Sequence, residues 1–458
     1  MTAASPPLAA GLAAFVSRLE LASLPTDVAE KARVCLLNGY GIGLGCHDTP
    51  YAPVARQTAL ALEGERLDGA TLLGDGRRTG ITGAALANAA LFHGRAQEDT
   101  CGAAHLGAII IPLLTALTEG RQLAVERLLP ALVAGYEAGG LLEQAYAGKT
   151  TPAGLRSSPL YGTISAAAAS ANLLQLDERQ TAAALANAAA FAGGTLQSFA
   201  DGTDEWRYQV GVAARLGLLA TELARAGSVS APYAFEGSAG YVRAYARTEC
   251  DVSALLGRLG QDWATRRVTF KPFPVCAFNQ TPVTAALALR DEISGRPIER
   301  VRVRMNPYEV GYAGMDSKGP FTTVSGTLMS IPFCIAVTLA RGTPTMATMT
   351  DYQDVATNTL MDKIDVVADA GVPKLSAIIE VDLRGGERTV REQRMTFADF
   401  SYDRAAVAQL IRRIGRETGV PDAAYDRLEA FVDQLPRGQI SNVIDCFAML
   451  PRRTQAAA

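Results

Sequence analysis

Residues 374–395 read KLSAIIEVDLRGGERTVREQRM. Apolar and charged side chains alternate on both sides of Gly385 and Gly386, the pattern of two strands joined by a tight glycine turn. Upstream, PIERVRVRMNPYEV (297–310) and RRVTFKPF (266–273) carry the same β-branched alternation, while PVTAALALRDEI (282–293) and GTLMSIPFCIAVTLARG (326–342) repeat at helical spacing. Residues 268–398 are therefore expected to form a domain mixing helix and sheet. Outside that stretch the character changes. From residue 8 to about 265 the chain is Ala/Leu-rich, with apolar residues at helical spacing and short Gly/Pro/Asp turns, as in Gly83 to His93, Gly162 to Leu174 and Gln209 to Ala226. In LPTDVAEKARVCLLNGYGIGLG (24–45), Thr26 is a candidate N-cap and Asp27 suits the positive end of the helix dipole. Asp403 to Leu435 returns to helical periodicity. The expected architecture is mainly α. A large helical domain comes from residues 1–267 and 399–458, and a smaller α+β lid domain, 268–398, is inserted between them.

A chain of 458 residues is long enough for two such cores. Its 43 basic and 46 acidic residues are nearly balanced and no Lys/Arg cluster stands out, which argues against nucleic acid and for a small-molecule partner. MTAASPPLAAGLAAFVSRLE (1–20) lacks the basic start of a secretory signal and reads as a short disordered segment before an amphipathic helix. The apolar run from Ala103 to Leu117 contains His105 and Pro112 and is shorter than the roughly 20 residues of a membrane span. Seven scattered cysteines without a CxxC suggest reduced thiols, so a cytoplasmic, membrane-free setting is expected. Three histidines (His47, His93, His105) and no Cys/His cluster offer no recognisable zinc set, although a carboxylate site for magnesium stays open. There is no dinucleotide fingerprint, Walker lysine or nucleophile-elbow serine. Cofactor-independent acid/base chemistry is the expectation.

The densest polar stretch is HGRAQEDTCGAAH (93–105), set between two apolar helical segments. Burying its His, Glu, Asp and Thr side chains costs about several kcal/mol unless they bond one another or a ligand, and such clusters are where catalytic pKa shifts are built. His93, Asp99, Thr100 and His105 are candidates for a site, against the plainer alternative of a hydrogen-bonded interhelical loop. Lys271 stands in FKPFPVCAFNQ (270–280) between an apolar strand and a Pro-x-Pro turn. It is one of only six lysines beside 37 arginines, which points to a need for a compact, titratable ammonium. Cys276 nearby has no histidine close in sequence and reads equally as a small buried group. In SFADGTDEWRYQ (198–209), Arg207 could clamp a carboxylate, with Trp206 as a packing anchor, and Arg156 before an Ala-rich helix is a similar candidate. Tyr308 at a strand end is a candidate hydroxyl donor or simply a packed ring.

Taken together, Asn88-x4-His93, the run Glu98-Asp99-Thr100, His105-x-Gly107, YGTISAAAASANLLQL (161–176), Gly202-Thr203, VAAR (212–215) and KPFPVC (271–276) resemble the MmgE/PrpD family over nearly the whole chain. That family includes 2-methylcitrate dehydratase, cis-aconitate decarboxylase and iminodisuccinate epimerase. The resemblance implies a homodimer with a helical domain, a lid domain and an active site between them. Thr100 and His105 match active-site positions, and Lys271 matches a lid lysine. The chain departs from the family at Ala96, where Asp is usual, at Trp206, where Lys is frequent, and at Gln280 and Arg156, where His is common. Arg156 and Arg207, with Trp206, Gln280 and Cys276 around them, would then contact an exchanged acid substrate.

The implied activity is a lyase on a small di- or tricarboxylic acid. His105 would be the general base or acid, Asp99 would orient it or tune its pKa, Thr100 would hold a carboxylate and Lys271 would stabilise an enolate-like intermediate. Alternatives are an epimerase or isomerase of a dicarboxylate, and a carboxylate-binding homologue without activity.

Overall fold

The computed structural model describes residues 5–451. The chain is mainly α with a second, α+β domain, and buried apolar side chains gather in two cores. The first core draws on residues 8–270 and again on 407–450, so both ends of the described chain feed it. The second is built almost wholly from residues 273–383, with Tyr51, Ala96, Leu196, Phe199 and Trp206 contributed from the first segment. The chain crosses from one core to the other between Phe270 and Phe273, which places Lys271 at the seam.

Helix Ser157–Leu173 is buried on every side and lies against Leu128–Thr150 and Glu205–Arg225. Its alanines allow close crossing, and glycines on both neighbours come near: a Cβ at Gly139 would lie 1.8 Å from Ser165 Oγ and one at Gly217 2.3 Å from the Cβ of Ala166. The helix expected near the start is Leu8–Arg18, with Leu8, Leu12 and Val16 buried. The irregular start before it lies in part, over residues 1–4, outside the described residues, as do residues 452–458 of the second helical segment. Thr26 is the first residue of helix Thr26–Gly45 rather than its cap, because Pro25 occupies the cap position and no side chain bonds there. Among the described residues no helix is long and apolar enough to cross a membrane.

The main sheet has the strand order Ile364–Ala368, Ile298–Met305, Ser376–Leu383, Arg388–Arg394. The first pair is parallel and the others antiparallel. Gly385 and Gly386 turn the expected hairpin with φ of 105° and 89°, values that L side chains rarely adopt. The stretch 326–342 divides into Val324–Met329 and Ile331–Arg341. Pro332 cannot continue a hydrogen-bonded helix from upstream, and Ser330 caps the new one through the amide of Phe333. RRVTFKPF yields only the two-residue strand Val268–Thr269, since Pro272 and Pro274 supply no amide hydrogens to extend the pairing.

Candidate active site

Helix Ile81–Phe92 ends at His93, and residues 94–106 form a buried loop before helix Gly107–Gly120. Within it Thr100–Cys101 pairs antiparallel with Val268–Thr269. This short ladder carries the following residue pair, Lys271 and Pro272, onto the loop. The Lys271 ammonium donates to the main-chain oxygen of Ala96 and lies 3.9 Å from Glu98 Oε1. Pro272 O accepts from Gln97 Nε2 at 2.9 Å and also from Arg413, which fixes the peptide next to the lysine. Ala96 takes φ 54°, a left-handed conformation that costs a non-glycine residue about 1–2 kcal/mol. That conformation accompanies the bond from Lys271 to the Ala96 carbonyl.

Glu98 sits between the two histidines. Its Oε1 accepts from His93 Nδ1 at 2.6 Å, and His105 Nδ1 lies 2.6 Å from the same oxygen but off the hydrogen-bonding angle. His93 Nε2 is 2.7 Å from Arg156, whose guanidinium can only donate, so His93 must accept there and carry its proton on Nδ1. His93 is therefore neutral. Burial drives its pKa well below the ordinary histidine value, and Arg156 and His105 act in the same direction. Burial also lowers His105, to about 4, helped by the Lys271 ammonium. Burial by itself would raise the Glu98 carboxyl, but His93, Lys271 and His105 hold it well below the usual range, so it is ionised. Lys271 is lowered by burial and partly restored by Glu98. Glu98 Oε2 and His105 Nδ1 are buried without a hydrogen-bond partner, a costly state that a bound molecule would relieve.

His105, Lys271, Arg156, Trp206 and Cys276 line one hollow of about 40 Å3, together with Ala96, Phe199, Phe278, Tyr312, Leu328 and Met329. His93 stands just behind it, its ring centroid 5.0 Å from that of His105 and 4.7 Å from that of Trp206. Other candidates lie elsewhere. The carboxylate beside His105 is Glu98 and not Asp99: consecutive side chains diverge here, and Asp99 turns away to accept from Tyr136. Burial raises Asp99 to about 7, and Gly107 leaves the space its carboxyl fills. Thr100 does not line the hollow; its hydroxyl pairs with Thr269 at 2.8 Å inside the ladder. Gln280 braces the proline turn, bonding Phe273 N and the oxygens of Phe273 and Val275. Arg207 is stacked between Tyr51 and Trp206 and donates to Ser325 and Gly94 through Nη1 and Nε, and it does not line the hollow. Tyr308 borders a neighbouring cavity, its ring under the Lys374 ammonium. Burial keeps the Cys276 thiol protonated.

The set of candidates read from the sequence omits Glu98, which differs in no local way from Asp99; the signal for it is only that two histidines bracket the acid pair. The expectation of no metal-ligand cluster also needs correction, since ligand atoms of His93, Glu98 and His105 lie within 4.8 Å of one another. A divalent ion there would have to displace the His93 Nδ1 proton and sit beside Lys271 and Arg156. That charge pattern suits an anion better than a second cation.

Known proteins match this architecture in order. The model of the MmgE/PrpD N-terminal domain matches residues 10–251 and that of the MmgE/PrpD C-terminal domain matches residues 273–412. A cis-aconitate decarboxylase-like protein of Aspergillus oryzae is 31% identical over 57% of this chain and 57% of its own length. A cis-aconitate decarboxylase of Aspergillus terreus is 24% identical over 74% of this chain and 73% of its own. The match to the first of these thus spans little more than half of that protein.

Proposed function

The chain belongs to the MmgE/PrpD family, and from that premise we propose that it is a cofactor-independent lyase acting on a small carboxylic acid with two or more carboxylates. The names of its decarboxylase relatives support the lyase reading. The observation that carries it is the convergence of His105 and Lys271 on one buried hollow, with ionised Glu98 between them.

In dehydration, neutral His105 removes the proton α to a carboxylate. The electron pair moves into the carboxylate to give an enolate-like intermediate, and collapse of that intermediate expels the β-hydroxyl, which leaves as water on taking back the proton from the His105 imidazolium. In decarboxylation the C–C electrons left behind as CO2 departs are stabilised in the same place and quenched by a proton from the His105 imidazolium, which takes that proton from solvent as the carboxylate substrate binds. Lys271 opposes the developing negative charge in a site from which water is largely excluded, where one fixed cation is worth several kcal/mol, as a rough scale. A histidine at about 4 is a weak base in the free protein. A bound carboxylate offsets the Lys271 charge that depresses it, and Glu98 then stabilises the imidazolium. Arg156 gives Nη1 to Trp206 O and Gln209 and one Nη2 hydrogen to His93, and holds a substrate carboxylate with Nε and the remaining Nη2 hydrogen. Residues 268–398 serve as the lid, and a homodimer in a reducing compartment belongs to the same proposal.

Incubation with candidate acids in D2O, followed by NMR and mass spectrometry, tests the reading. A product lighter by water or CO2 is expected, with production lost in His105→Ala. Deuterium exchange with inversion at constant mass would replace the lyase with an epimerase, and tight binding without exchange or turnover would leave only a binding protein.

A further inference from the structure

The inner hollow, at about 40 Å3, has room for little more than one small polar head group. Its cations, Lys271 and Arg156, face apolar side chains of Phe199, Phe278, Leu328 and Met329. The buried guanidiniums of Arg95 and Arg207 do not line this hollow. A third carboxylate would have to be stripped of water against those apolar groups, which is strongly unfavourable. On the far side of Tyr312, which lines both spaces, lies a second hollow of about 590 Å3. It is walled by Leu196, Pro152, Pro307, Ala313 and Tyr308 together with the neutral polar residues Thr151, Thr195 and Gln197, and among the described residues that line it there is no Lys, Arg, His, Asp or Glu. The Tyr312 ring stands between Phe278 at 5.3 Å and Phe199 at 6.0 Å, so an aromatic partition separates a charged compartment from an uncharged one.

We infer that the ligand is a small carboxylic acid carrying an apolar substituent, its carboxyl end held at Lys271 and Arg156 and its substituent received by the second hollow past Tyr312. This rests on the carboxylate reading of the inner site and narrows it: the two hollows form one amphipathic binding site, and chain length is what the protein selects. The Tyr312 ring turns aside to join them when such a ligand binds.

Calorimetric titration of the full chain with succinate, 2-butylsuccinate, 2-octylsuccinate and the tri-acid tricarballylate tests it. Affinity should rise with chain length, by up to about four-fold per buried methylene, the equivalent of roughly 0.8 kcal/mol, and by at least about ten-fold from succinate to 2-butylsuccinate. Filling the second hollow with Ala313→Trp, or with Ala200→Trp should the first fail to fold, should abolish that gain and leave succinate affinity unchanged. Affinity that is flat or falling with chain length, or tightest for tricarballylate, overturns the inference. The carboxylate reading survives that outcome if succinate still binds and Lys271→Met removes the binding. Absence of binding by every acid defeats both.

Discussion

Charged residues occupy two contrasting settings in this molecule. On the sheet, Arg300 pairs with Asp365, Arg302 with Glu380 and Arg388 with Asp382, all at least partly in water. At the seam, Glu98, His93 and Lys271 are almost fully buried, and Glu98 Oε2 and His105 Nδ1 lack partners. The residue types overlap, but the energetics do not. Exposed pairs gain little because water and salt already screen them. Buried groups keep a large desolvation cost that only close, well-oriented partners offset.

Removing Glu98 should sharpen the contrast most. Glu98→Ala leaves Lys271 as an uncompensated buried cation and should destabilise the fold by about 3–5 kcal/mol in urea denaturation; a loss below about 1 kcal/mol would mean that the seam behaves like surface. Next in size, His105→Ala that remains folded should lose at least about 10²-fold in turnover once a substrate is in hand. Unchanged turnover removes His105 from the mechanism.

Asp99 provides a test by pH. Its folded value of about 7 lies above the ordinary 3.8, so the folded state holds a proton that the unfolded state releases between these values. Its contribution is full below about pH 4 and is lost as pH rises towards 7. His105 has the opposite sign: its folded value of about 4 lies below the ordinary 6.5, and stability falls as pH drops through that window. Thermal denaturation of Asp99→Asn between pH 4 and 8 should therefore show less loss on the alkaline side than the parent, and identical profiles would contradict the burial of that carboxyl. The smallest effect belongs to the sheet. Arg300→Ala should change stability by no more than about 0.5 kcal/mol, and a loss of several times that would erase the distinction between the two settings.

Much of the layout could be read in advance. Alternation around Gly385 and Gly386 marks a hairpin because strand side chains have period two, and the Ala-rich stretches mark helices because only a 3.6-residue period gathers their apolar groups. The strand Ile364–Ala368 escapes such a reading, since a five-residue edge strand after a short helix has too few alternations to stand out. The break at Ser330 depends on one proline inside an otherwise continuous apolar pattern.

The site divides along the same line. His93, His105, Arg156, Trp206, Lys271 and Cys276 are distinctive in sequence because rare or polar residues interrupt apolar runs, and the fold gathers them around or directly behind one hollow. Which acid faces the histidines was not legible. Glu98 and Asp99 are adjacent and chemically alike, and their roles separate only when the Thr100–Cys101 ladder fixes the backbone so that one side chain points to His105 and the other to Tyr136. Thr100, Gln280 and Arg207 likewise lie where sequence proximity suggests, yet their polar groups are used by Thr269, the proline turn and Ser325. Residue identity and periodicity, which act over a few positions, determined the elements and the supply of chemical groups. The direction of each side chain, and whether its bonds were already taken, was decided by tertiary packing, because the partners come from a nearby turn for Gln280, from another helix for Asp99 and from more than a hundred positions away for Thr100 and Arg207.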